Sequence, residues 1–123
     1  MGKRMKIGYN SERKLLSSSE QLYGELWVSL ASLLRSYTAA HGLNGNRQAT
    51  VELGEEQITV RHADKWLDMH RTGSQIRWQR EDGSAGVLEL TEDGRLRSGA
   101  AAGEASEEEM DMAAEAWARE LMR

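Results

Sequence analysis

Apolar residues recur at three- and four-residue steps between Ser18 and Gly42. Leu22, Leu26, Leu30, Leu33, Tyr37 and Ala40 form the stripe, and Tyr23, Trp27 and Leu34 widen it. The pattern predicts one long amphipathic helix. Ser17 with Glu20, and Ser18 with Gln21, offer capping-box pairs at its start. Gly42 supplies a left-handed stop, onto which Leu43 can fold back. Residues 1–12 show no period, and they predict a mobile basic tail ahead of a single domain over 13–123. The Ser17-Ser18-Ser19 run predicts a break between tail and helix, because serine favours caps over helix interiors.

Beyond Gly42 the period changes from helical to alternating. Val51 and Leu53, Ile58 and Val60, Leu67 and Met69, Ile76 and Trp78, Leu88 and Leu90 point one way. Thr50, Thr59, Arg61, Trp66, Asp68, His70, Arg77 and Gln79 point the other. Gly54-Glu55-Glu56, His62-Ala63-Asp64-Lys65, Thr72-Gly73-Ser74, Glu81-Asp82-Gly83-Ser84 and Glu92-Asp93-Gly94 are turns too short for crossover helices. Five or six antiparallel strands in a meander follow, apolar on one face and wet on the other. Ser98–Ala105 reads as a small-residue linker. Ser106 with Glu109 then predicts a capped C-terminal helix whose stripe is Met110, Ala113, Ala114, Trp117 and Leu121. The expected fold is an α+β two-layer sandwich, with both helices on the apolar face of the sheet.

The helix–meander–helix order is similar to the frataxin-like fold. Trp66-Leu67-Asp68-Met69-His70-Arg71-Thr72-Gly73 resembles the Trp-Leu strand and glycine turn of that family. The family's Asn-x-Gln-x-Pro approach is absent, since the chain has no proline. Its acidic ridge is absent too, with Glu20 and Glu25 the only acids between Ser18 and Gly42. The resemblance therefore implies a layout, and iron delivery is not carried over.

Composition narrows the chemistry. With 123 residues the chain suits one core. It has no cysteine, which removes disulfides and thiolate chemistry and suits a cytoplasmic location. No apolar run is long enough to span a membrane, and no apolar segment follows Lys3, Arg4 and Lys6 as a signal peptide requires. Net charge is −4, basic at residues 1–14 and acidic at 103–123, which weighs against general nucleic-acid binding. Gly42 and Gly45 are not spaced as a phosphate loop, and Ser17–Ser19 have no readable His–acid partners, so no catalytic set emerges.

Two sites remain. On the wet face, Arg61, Trp66, Asp68, His70 and Arg77 are candidates for binding a protein partner or a second copy in a homodimer, Trp66 being an aromatic where solvent is expected. His62, Asp64, Asp68 and His70 supply metal-type ligands, but at a spacing that matches no known motif, and no metal or other cofactor is assigned. Between helix and sheet, Trp27, Met69, Trp78 and Trp117 could line a pocket for a small apolar or amphipathic ligand. The expected function is a non-enzymatic interaction or adaptor module acting through the exposed sheet face or an edge strand. The alternative is a carrier of such a ligand.

Overall fold

A computed structural model of the chain describes residues 2–42, 48–98 and 106–123, with side chains described from Ser19 onward. Helix α1 (Gly2–His41) leads into β1 (Thr50–Leu53), β2 (Gln57–His62), β3 (Lys65–Thr72), β4 (Gln75–Arg80), β5 (Ala85–Leu90), β6 (Arg95–Ser98) and β7 (Glu107–Glu109). Helix α2 (Met110–Leu121) closes the chain. The strands form one antiparallel sheet in sequence order, a seven-stranded meander. The α+β two-layer architecture with a long first helix is as the periodicity predicts.

Three local expectations change. Helix α1 is assigned from Gly2, so the serine run at 17–19 lies within it rather than ahead of it, and the stretch expected as a tail is helical in its backbone. The capping pairs at Ser17 and Ser18, the Leu43 fold-back and the linker beyond Ser98 lie outside the described residues or side chains. The Gly42 stop is present: its N–H donates to the Thr38 carbonyl at 3.0 Å and the Ala39 carbonyl at 3.2 Å.

The third change concerns the sheet edge. The segment read as the capped first turn of α2 is instead the seventh strand. Glu109 occupies the N-cap with extended backbone (φ −63°, ψ 141°) and makes no side-chain capping bond. Glu107–Glu109 pairs with Arg95–Arg97 instead. The Arg95 and Arg97 guanidiniums both reach the Glu107 carboxylate, at 3.4 and 3.3 Å. A ladder plus opposite charges across it outweighs a single capping box.

The core lies between the sheet and both helices. Register places Leu53, Ile58, Met69, Trp78 and Gly86 in one inward-facing row, and Val51, Val60 and Leu67 in the next. Trp27, Leu30 and Leu34 of α1, with Ala113, Ala114, Ala118 and Leu121 of α2, are buried against these rows. Each large apolar side chain so buried contributes about 1.5–3 kcal/mol. The Trp27 indole N–H donates to the Gly54 carbonyl at 3.2 Å, tying α1 to the first hairpin. Polar contacts join the helices at one end, where the Tyr37 hydroxyl donates to Asp111 and the His41 ring meets Glu115 at 2.8 Å. Among the described residues, no helix is long and apolar enough to cross a membrane.

Candidate partner-binding face

Because both helices pack on one face, the other face of the sheet is left to solvent. Alternation decides what it carries. Opposite each inward residue of β2, β3 and β4 stands an outward one: Gln57, Thr59 and Arg61; Trp66, Asp68 and His70; Gln75, Arg77 and Gln79. Antiparallel register then sets Arg61 beside Trp66, Thr59 beside Asp68, Asp68 beside Gln79, and His70 beside Arg77.

Asp68 is the hub of this face. Its Oδ1 accepts from the Gln57 amide at 2.8 Å and from the Thr59 hydroxyl at 3.0 Å. Its Oδ2 lies 3.0 Å from His70 Nε2. Burial pushes the carboxyl upward, but the hydrogen bonds from Gln57, Thr59 and His70 outweigh it and hold the pKa below the ordinary carboxylate value. Asp68 is therefore a charged acceptor with three side-chain partners, one of which is the His70 ring. The imidazole itself remains about half exposed, at 54%.

Trp66 is half-buried rather than open, and its backbone N–H donates to Glu81 Oε1 at 3.0 Å. Around it lies a shallow hollow formed with Gln57, Thr59, Arg61, Asp68 and Gln79. A wider concavity of roughly 790 Å³ adjoins it, bordered by Asp68, His70, Gln75, Arg77, Gln79 and Val87. The two hollows share Asp68 and Gln79 as lining residues and lie side by side across β2–β5. Val87 is 46% exposed on the wall of the wider one. The sequence reading missed Gln57 and Val87 as members of this site. Both were findable by parity, one residue before inward Ile58 and one before inward Leu88.

All five expected partner-binding residues, Arg61, Trp66, Asp68, His70 and Arg77, thus share one face. The four metal-type residues do not come together. His62 turns to the helix side, where its Nδ1 lies 3.0 Å from the Leu121 carbonyl. Asp64 sits in the exposed turn between β2 and β3. Among the described residues no group of three or more His, Asp or Glu side chains is placed to hold a metal ion.

The residues expected to line a ligand pocket occupy the inner layer. Trp27 and Met69 are buried in the core. Trp78 and Trp117 pack against it, with ring centroids 6.4 Å apart and planes tilted by 59°. Arg71 lies over the Trp27 ring, 5.9 Å from its centroid.

No family model, no curated protein and no solved structure matches this chain.

Proposed function

We propose that the protein is a non-enzymatic interaction module that docks a protein partner, or a second copy of itself, on the outer face of its sheet. The observation that carries this reading is the pair of adjoining hollows across β2–β5. Together they combine a half-buried tryptophan, an exposed valine and two arginines whose guanidiniums have no ion-pair or hydrogen-bond partner among the described residues. Aromatic and arginine side chains around a concavity are the composition of interface anchors. Strand addition at the β7 edge is disfavoured, because that short edge carries three consecutive exposed glutamates. The face therefore has the stronger claim over that edge.

The chain has no cysteine, so a single introduced thiol labels one position uniquely. A benzophenone probe at Val87→Cys should give discrete cross-linked species in the cells that make the protein. The same probe at Val28→Cys, exposed on α1, should not. Cross-links from Val28 alone, or equally from both positions, would sink the reading. Native mass spectrometry of the purified product then separates self-association from a different partner.

A further inference from the structure

We infer that the segment seated on this face is an acidic stretch of the partner protein, with one carboxylate for Arg77 and a second for Arg61. The inference rests on the docking reading above and names the chemistry of its occupant.

The outer face divides into two electrostatic regions. Toward β6 and β7 its arginines are neutralised within the chain. Arg95 reaches Glu107 at 3.4 Å and Asp93 at 3.8 Å, while Arg97 reaches Glu107 at 3.3 Å and Glu89 at 3.8 Å. In the centre the balance is different. Arg61 and Arg77 have no carboxylate partner among the described residues. The one acid between them, Asp68, already accepts from Gln57, Thr59 and His70. Its carboxylate pairs with neither guanidinium.

The geometry around Arg77 suits a carboxylate. His70 is its direct cross-strand partner on the border of the same hollow, with Nε2 held 3.0 Å from Asp68 Oδ2. Gln75 and Gln79 flank Arg77 on the same strand face and border the same hollow. A guanidinium with amide donors on either side matches the forked acceptor geometry of a side-chain carboxylate.

Spacing decides the size of the occupant. Arg61 and Arg77 stand two strands apart and four residues out of row, which places their Cα atoms roughly 16 Å from one another at ordinary sheet spacings. No small anion bridges that distance. An extended peptide covers it in about five residues. A nucleic acid fits less well, because two free guanidiniums are few against the six to ten or so phosphate contacts that make such binding strong. Trp66, half-buried beside Arg61, adds apolar area for the segment's intervening side chains.

The test uses the intact, ¹⁵N-labelled protein and three probes: hexaglutamate, hexaglutamine and an oligothymidylate of six nucleotides. Hexaglutamate should shift the amide resonances of Arg61, His70 and Arg77 saturably, with the effect fading as salt is raised. Arg77→Gln should weaken it by about fivefold, as befits one exposed ion pair. The control Arg97→Gln should stay within about twofold. Equal shifts with hexaglutamine, shifts centred on Arg95 and Arg97, or tighter binding of the oligothymidylate would each overturn the inference. The two readings also fail separately. Val87 cross-linking that persists unchanged in the Arg61→Gln/Arg77→Gln double variant leaves the docking face standing and removes the acidic partner. Cross-linking absent from Val87 in the parent protein removes the docking face itself.

Discussion

Trp78 and Gly86 are cross-strand partners on β4 and β5, and the indole of one fills the space where the other would carry a side chain. A Cβ built on Gly86 stands 2.7 Å from Trp78 Nε1 and 2.9 Å from Cε2. Those are closer than any real contact. The ring also packs beside Trp117 of α2, with centroids 6.4 Å apart, which limits its freedom to shift. The glycine is thus what allows a tryptophan to seat between sheet and helix.

Gly86→Ala should therefore destabilise the protein by about 1–3 kcal/mol, the usual cost of overpacking. Urea unfolding measures it directly. In a Trp78→Leu background the same substitution should cost less than about 0.5 kcal/mol, since the clash has gone and the two positions are coupled. Equal costs in both backgrounds would mean the indole is not the obstacle.

How much of this was legible beforehand depends on how local the determinants are. The α1 stripe through Leu30 and Leu34 and the alternation through Ile58, Val60, Leu67 and Met69 are period signals within single segments. They led to the right layers and the right faces. The seventh strand was not legible, because Ser106-Glu107-Glu108-Glu109 satisfies a capping-box pattern on its own. Only the Arg95–Arg97 edge beside it, which is tertiary, makes a strand the better solution. The site divides in the same way. Arg61, Trp66, Asp68, His70 and Arg77 were assigned to one face by parity alone. Their pairing as His70 beside Arg77, and the convergence of Gln57 and Thr59 on Asp68, required strand register. His62 shows the opposite case: it continues the inward alternation of Ile58 and Val60, and only the position of α2 supplies the Leu121 carbonyl as its partner.

The Asp68 network makes a pH-dependent contribution to stability whose sign follows from its hydrogen bonds. Burial alone would favour the protonated acid, but Gln57, Thr59 and His70 together favour the carboxylate and lower its pKa in the folded state. A lowered folded pKa means the contribution is complete above the unfolded value, about pH 4, and is lost as pH falls through the folded value beneath it. Asp68→Asn should cost about 1–2 kcal/mol at pH 7, on the scale of charge-assisted hydrogen bonds on a partly exposed face. The gap between variant and parent should narrow as pH falls below the ordinary carboxylate range, about pH 4. Asp82 and Asp93, which their own hydrogen bonds also hold low, are present in both proteins and cancel in the difference. Guanidinium unfolding at pH 7, 5 and 3 tests this, and a gap independent of pH would assign Asp68 a purely steric role.

The turn between β2 and β3 supplies a prediction in the stabilising direction. His62 pairs with Lys65, so Ala63 and Asp64 alone make the connection. Ala63 adopts φ 56°, and it is the one described non-glycine residue with positive φ. The corresponding first turn residue between β3 and β4 is Gly73, at φ 60°. Left-handed backbone costs a residue with a Cβ about 1–2 kcal/mol, which glycine avoids. Glycine in exchange loses about 0.5–1 kcal/mol more through the freedom of its unfolded chain. The strain is the larger of the two, so Ala63→Gly should raise stability by up to about 1 kcal/mol. Gly73→Ala should lower stability by a similar amount, since nothing but its own backbone opposes the added methyl. Thermal unfolding of the two variants side by side checks the pair. A loss of stability in Ala63→Gly would show that this turn gains more from alanine's stiffer unfolded chain than it spends on its backbone angle.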